Sequence, residues 1–377
     1  MFKQHLFNKT KRFQQISLVL VVLIVGGAGT YLLMSSNATT PYVSITAASG
    51  SLGSGASLQT DSTASNGASV RFGSASSGSG GGGSNMVVGL NESGWPNGPT
   101  DMAGAVKYDR LDQDLNEPAT DFANAGVKVD VLFTGPYNSG GVSSINATSW
   151  ANNALSWYQS HGCTPAECPM MEVLNEPEGS WFWGSNASDQ TNATAYANLV
   201  KTAYTTFHTA YGANAPLVLA AYDSSTWGQE WWSSSLNSYV DGVIVHPYGG
   251  TGSPSQSKLG NRQLVTEAHS YTGKPVYVTE VGWPTAVGQP ATGDSLQWPQ
   301  SNTGAGTGDQ CNNIYNFLSW ARGTGYVNAV YIFGYRDYGT NDFYGVETSG
   351  GTKKPGWDAL KAAANNQANP CPNPLTY

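Results

Sequence analysis

From Met86 onward, short apolar runs alternate with amphipathic stretches along the chain. Eight runs are almost continuously apolar, and they begin at Met86, Ala105, Val127, Met170, Pro216, Asp241, Pro275 and Asn328. Runs of this kind are typical of strands in a parallel sheet, which is covered on both faces. The pattern therefore predicts eight parallel strands.

Between these runs, apolar residues recur at three- and four-residue spacing, which predicts helices. One such stripe lies in residues 189–211 and another follows Asp309. Eight strand–helix repeats in about 280 residues predict a (β/α)₈ barrel. An open doubly wound sheet is the competing α/β fold, but no Gly-rich phosphate-binding loop follows the first strand.

The first 85 residues follow a different pattern. Residues 1–35 carry four cations and an apolar run over 16–34, which predicts a membrane anchor with a cytoplasmic N-terminus. A cleaved signal peptide is the alternative. Both place the remainder outside the cytoplasm, either anchored or secreted. We predict that residues 36–85 form a low-complexity spacer with a Gly/Ser linker. The barrel domain is predicted over 86–369, and a tail over 370–377.

Composition and charge narrow the choice of ligand. Charged residues make up 11% of the chain, and the formal net charge is −8. The first 34 residues carry four cations and no acid, so the rest of the chain carries a net charge of −12. An acidic exported domain does not fit nucleic acid, whose phosphates attract Lys and Arg. Neutral ligands such as sugars fit better.

Four cysteines remain, and an even number in an exported chain predicts disulfides. Of the three pairings we favour Cys163–Cys168, which closes a short loop, and Cys311–Cys371, which holds the C-terminal tail. A zinc site that includes His161 is the alternative, but no fourth ligand stands at suitable spacing.

Two carboxylates occupy matching positions in the predicted barrel. Glu176 follows the fourth strand and Glu280 ends the seventh, and active sites of such barrels lie at the C-terminal ends of the strands. By strand alternation, Glu176 shares a face with Leu174 and Glu172, and Glu280 with Val278 and Val276. Retaining hydrolysis of a glycosidic bond needs one protonated and one ionised carboxyl group about 5–5.5 Å apart. Solvated loop residues are the alternative interpretation.

Other strand ends supply groups that would serve this pair. Arg110 would keep Glu280 ionised, Tyr248 would donate a hydrogen bond to it, and Asn175 would bind a sugar hydroxyl. His246 is either a site residue or a buried core histidine, and Arg110 is alternatively part of a structural ion pair. Glu172 lies deeper and is predicted to be structural.

The motifs "LNEP" at residues 174–177 and "VTEVGWP" at 278–284 resemble glycoside hydrolase clan A, with features of families 5, 17 and 39. This resemblance over residues 86–365 implies a (β/α)₈ barrel that acts on β-linked sugars with retention. It implies Glu176 as the acid/base and Glu280 as the nucleophile. "AVKYDRLD", "VHPYG" and "GTKKPGWDAL" resemble the segments that carry the arginine, the His/Tyr pair and the last helix.

Where many clan members end the eighth strand with a Trp, this chain has Phe333 and Tyr335, so one of these would form the floor of the sugar site. We predict further sugar contacts from Trp181, Trp183 and Trp283, because flat aromatic rings stack on sugar rings. The number of loop aromatics favours endo-cleavage of a polysaccharide, with no cofactor or metal. A cell-wall transglycosidase and a non-catalytic sugar-binding barrel are the alternatives.

Overall fold

The computed structural model describes the backbone of residues 56–60, 68–72, 86–91, 98–115, 117–135, 141–177, 190–222, 232, 236–248, 262–285, 307–337, 343–372 and 374. The chain forms two compact units, Met1–Gly80 and Gly81–Tyr377. In the first unit, β1 (Ala56–Thr60) pairs antiparallel with β2 (Ala68–Phe72), within the stretch predicted to be a spacer.

The second unit is a closed barrel of eight parallel strands, which confirms the predicted barrel and excludes the open sheet. Strand order follows chain order, and β10 closes on β3. The strands are β3 (Val87–Asn91), β4 (Tyr108–Asp112), β5 (Lys128–Phe133), β6 (Met170–Val173), β7 (Leu217–Ala221), β8 (Gly242–Val245), β9 (Val276–Val281) and β10 (Val327–Ile332). All eight lie within or beside the apolar runs of the sequence.

Seven α-helices are described. They are α1 (Gly98–Met102), α2 (Ala119–Ala125), α3 (Ala147–Ser160), α4 (Gln190–Tyr211), α5 (Arg262–Thr272), α6 (Thr307–Thr324) and α7 (Pro355–Ala364). The stripe predicted over 189–211 is α4, and its Tyr196, Val200 and Phe207 are fully buried. The stripe after Asp309 belongs to α6.

The barrel has two apolar layers. Outward-facing residues such as Val129, Val243 and Val278 pack in one large core with the helices. Inward-facing residues form a smaller cluster at the bottom of the barrel, around Tyr277 and Tyr331. Gly89 makes room for Tyr331, because a Cβ atom at this position would lie 2.5 Å from the tyrosine ring.

Both favoured disulfides, Cys163–Cys168 and Cys311–Cys371, are present and are confirmed. The second ties the chain after α7 to α6. No helix among the described residues is long and apolar enough to cross a membrane. The predicted anchor over 16–34 lies outside those residues and stays a prediction.

Candidate active site

Arg110 is the centre of a hydrogen-bonded network at the C-terminal end of the barrel. It points inward from β4 and is 3% exposed. Its Nε and Nη2 atoms donate to the two carboxylate oxygens of Glu172 at 2.6 and 2.8 Å. Nη1 donates to Glu280 Oε1 at 2.6 Å, and Nη2 also donates to Asn175 Oδ1 at 2.9 Å. One guanidinium therefore holds three side chains that are 62 to 170 residues away in sequence.

Glu280 reaches this network because of a β-bulge. The pairing of β9 with β10 advances from Val278↔Val330 to Val281↔Ile332, so β9 contains one extra residue there. Val276 and Val278 pack outward in the large core, whereas Tyr277 faces the barrel interior. The prediction that Glu280 shares a face with the two valines is therefore wrong, because the bulge breaks the alternation and re-aims the carboxylate.

Glu176 is placed by the backbone beyond β6. The strand ends at Val173, and Leu174 and Glu176 adopt left-handed conformations with φ of 62° and 43°. Strand alternation therefore applies to Glu172 but not to Glu176. A left-handed conformation costs a non-glycine residue on the order of 1 kcal/mol, and such conformations cluster at functional sites.

His246 and Tyr248, after β8, bond to the two carboxylates. His246 Nδ1 lies 2.8 Å from Glu176 Oε1, and its Nε2 lies 3.1 Å from Thr279 Oγ1. Tyr248 donates its hydroxyl to Glu280 Oε2 at 3.0 Å. Its ring packs edge-on against Phe333 and Tyr344. Sequence reasoning missed Thr279 and Tyr344, because neither lies in a motif that carries chemistry by itself.

The charges around Glu280 favour its ionised form. Burial would raise the pKa of Glu280, but the charges of His246 and Arg110 and the hydrogen bonds from Tyr248 and Arg110 outweigh burial and lower it. The pKa of His246 is raised instead. Burial would lower the pKa of His246, and the negative charge of Glu280 and the contact with Glu176 more than offset this effect.

The two glutamates are also close together and differ in exposure. The facing atoms of Glu176, His246 and Glu280 all lie within 4.8 Å of one another. The Glu176 side chain is 27% exposed and that of Glu280 is 13% exposed. A cation would find three ligands here, but Arg110 already compensates the charge of Glu280. The arrangement suits proton transfer beside an ionised carboxylate.

Two predicted sugar-binding side chains lie elsewhere. Trp283 is 5% exposed and packs against Phe317 of α6 in the outer core. Tyr335 is fully buried and donates its hydroxyl to Asp101 at 2.8 Å. Neither ring is available to a sugar, so the prediction is wrong for both. Of the two strand-end aromatics, Phe333 is the one beside Tyr248. Trp181 and Trp183 lie outside the described residues.

The sequence matches the family described as "Glycosyl hydrolase catalytic core" over residues 140–348, more than half of the chain. This range contains Glu176 and Glu280, whereas Arg110 precedes it. No curated protein sequence matches the chain.

Solved structures with the same fold include three glycoside hydrolases. A fungal β-1,4-galactanase is 15% identical with a TM-score of 0.53, over 73% of this chain and 93% of the galactanase. A family 128 endo-β-1,3-glucanase from Amycolatopsis mediterranei, in complex with laminaripentaose, is 14% identical with a TM-score of 0.50, over 74% and 99%.

A family 39 glycoside hydrolase from the gut symbiont Bacteroides cellulosilyticus WH2 is 14% identical with a TM-score of 0.50. The match covers 75% of this chain and 64% of the family 39 enzyme. These similarities support the barrel fold, and the sequence match supplies the family. The chain belongs to the glycosyl hydrolase catalytic core family and is a glycosidase.

Proposed function

We propose that this glycosidase cleaves a β-linked polysaccharide by double displacement, with Glu280 as the nucleophile and Glu176 as the acid/base. One observation carries the proposal. Glu280 accepts hydrogen bonds from Arg110 and Tyr248, and its carboxylate lies within 4.8 Å of the more exposed Glu176. Retaining enzymes hold their carboxyl groups about 5–5.5 Å apart, and inverting enzymes need roughly 6.5–9.5 Å for an attacking water.

In the first step, a carboxylate oxygen of Glu280 forms a bond to the anomeric carbon. The glycosidic C–O bond breaks, and Glu176 gives its proton to the leaving oxygen. In the second step, Glu176 takes a proton from water, the water oxygen bonds to the anomeric carbon, and the Glu280 ester bond breaks. One water is consumed and both glutamates return to their starting states.

His246 contacts Glu176 through Nδ1 and Thr279 through Nε2, so it would orient the Glu176 carboxyl group in both steps. Asn175 accepts from Arg110 through Oδ1, which leaves its amide NH₂ group for a sugar hydroxyl.

We propose an endo-acting enzyme outside the cytoplasm, anchored or secreted. The two disulfides fit an oxidising compartment. Because the galactanase and endo-glucanase have a similar fold at 15% and 14% sequence identity, we would test β-1,4-galactan and β-1,3-glucan first as substrates. The protein has several stretches that contain Trp, and the flat Trp rings would stack on successive sugar rings of a polysaccharide.

The test is a screen of the full chain, purified in detergent with oxidised disulfides, against β-glucans, galactan, mannan and xylan. Release of reducing ends from one polymer, with retention seen by NMR and loss in Glu280→Gln, is the expected result. Longer products at high oligosaccharide concentration would instead indicate a transglycosidase. Binding without cleavage by the folded protein would overturn the proposal in favour of a sugar-binding barrel.

A further inference from the structure

Asp130 is a buried acid that the reaction above does not use. It lies on β5 in register with Arg110 of β4, and its side chain is fully buried. Among the described residues, no N–H or O–H donor reaches either of its carboxyl oxygens. A carboxylate without donors is strongly destabilised in such a place, so the group needs either a partner or a proton.

The charged groups around Asp130 come from β4 and β6. Glu172 lies on β6 one inward position further along, since Asp130 pairs with Met170 and Leu132 with Glu172. Arg110 and Asp109 act on Asp130 from β4. The hydroxyl groups of Tyr277 and Tyr331 lie near it on β9 and β10.

Glu172 already uses both of its oxygens to accept from Arg110. Arg110 is the cation with the largest effect on Asp130. Two neighbouring carboxyl groups with one cation between them share a hydrogen bond only if one of them is protonated. Glu172 is fixed as the ionised member by its two bonds to Arg110, which leaves Asp130 as the proton carrier.

We propose that Asp130 is protonated at neutral pH and donates a hydrogen bond to Glu172, and that this pair is a positioning device that sets how strongly Arg110 acts on Glu280. The inference rests on the proposed role of Glu280 as nucleophile. Glu172 and Asp130 touch neither sugar nor reacting atoms and act through Arg110.

The electrostatics agree with this assignment. Burial and the negative charge of Glu172 raise the pKa of Asp130 well above its usual range, and the positive charge of Arg110 opposes them without cancelling them. With Asp130 neutral, Glu172 and Arg110 balance, and Glu280 keeps a direct bond to the guanidinium. An ionised Asp130 would add a third anion beside Arg110 and weaken the effect of Arg110 on Glu280.

Three variants test the device through the acid limb of kcat/KM against pH, which reports ionisation of the nucleophile in the free enzyme. Glu172→Gln removes one of the two anions that share Arg110, so we expect the limb to move to lower pH by about one unit. Asp130→Asn keeps a neutral group with a donor, so we expect the limb to stay in place. Asp130→Leu removes the donor, so we expect the limb to move to higher pH.

Asp121→Asn on the exposed surface of α2 is the matched control for the change of side chain. A purely structural role would lower Tm and kcat in all three variants without moving the limb in opposite directions. A downward shift in Asp130→Asn would mean that Asp130 is ionised in the native enzyme and would overturn the proposal. An acid limb of kcat/KM that keeps its native position in Asp130→Asn but moves in Asp130→Leu would support the proposal.

Infrared spectroscopy gives a second test that needs no substrate. The difference spectrum between the native chain and Asp130→Asn at neutral pH should show a protonated-carboxyl band that shifts in D₂O. A difference that contains only carboxylate bands would overturn the inference. If no polymer is cleaved, the proposed function fails while this spectrum still decides whether Asp130 is protonated. Failure of Glu172→Gln to fold likewise leaves the infrared result intact.

Discussion

At the residue scale, the charge state of Glu280 depends on three neighbours with different roles. Arg110 supplies a fixed positive charge, and Tyr248 supplies a neutral hydrogen bond. His246 supplies a charge that changes with pH, and its Nδ1 lies 3.8 Å from Glu280 Oε2. Their contributions can be separated by substitution because each is a separate side chain, Arg110 from β4 and His246 and Tyr248 from the segment after β8.

Tyr248→Phe removes one donor from Glu280 and leaves the ring in place. Because that hydrogen bond lowers the pKa of Glu280, its loss should raise the pKa. We expect the acid limb of kcat/KM to move to higher pH by about one unit and kcat/KM to fall roughly tenfold to a hundredfold.

The measurement is a pH–rate profile of purified protein, with Tyr315→Phe on α6 as the control, since its hydroxyl bonds to Gln367 at the surface. An unchanged limb in Tyr248→Phe would show that the hydroxyl does not act on the nucleophile.

Glu176→Gln removes the proton donor while it preserves shape. We expect a loss of roughly 10²–10⁴-fold on a natural glycan, whose leaving oxygen needs a proton. Glycosyl-enzyme formation from an aryl glycoside with an acidic phenol should be much less affected, because that leaving group departs without protonation. Burst kinetics measure this step, and equal losses on both substrates would contradict the acid role.

At the element scale, α4 fixes the geometry of the strand end that carries Glu176. The hydroxyl of Tyr196 donates to the carbonyl of Val173 at 2.8 Å and accepts from the N–H of Ala221 at 3.0 Å. One buried side chain of the helix therefore holds the ends of β6 and β7 together. The left-handed residues Leu174 and Glu176 follow immediately.

Tyr196→Phe leaves a buried carbonyl and a buried N–H without this partner. We expect a loss of about 1–3 kcal/mol in the free energy of unfolding, together with lower kcat. Urea denaturation and steady-state kinetics measure the two effects, again with Tyr315→Phe as the surface control. A loss of stability without any change in kcat would show that the site does not depend on this link.

At the scale of the whole molecule, the two disulfides differ in how much of the unfolded chain they constrain. Cys311–Cys371 spans 60 residues and joins α6 to the chain beyond α7, whereas Cys163–Cys168 spans 5 residues. In the chain-entropy picture, the long loop contributes about 4 kcal/mol and the short loop about 2 kcal/mol.

Paired Cys→Ser variants should therefore differ in their free energy of unfolding by about 2 kcal/mol, with the 311/371 pair being less stable. Denaturant titrations of both variants and the native chain provide the comparison. A larger loss in the 163/168 pair would show that packing around the short loop outweighs chain entropy.

Much of the barrel was predictable because each strand is buried on both faces and must therefore be apolar almost throughout. The eight runs, the α4 stripe, both disulfides and the positions of Glu176 and Glu280 near strand ends follow from local pattern and spacing, whereas Arg110 was predicted at the end of its strand and lies in the middle of β4. Trp283 and Tyr335 were assigned to the sugar site because aromatic character does not tell a ring in a core from a ring in a cleft.

The sequence by itself determined that this protein has a parallel barrel with two acidic strand ends, since periodicity and residue type are local properties. Only the tertiary structure decided how those acids point. The bulge in β9 depends on its pairing with β10, and the left-handed residues after β6 follow a strand end whose Val173 carbonyl accepts from Tyr196. The proximity of Asp130 and Glu172 was likewise decided by the pairing of β5 with β6, because the charge balance of a buried site depends on strands that are separated in sequence.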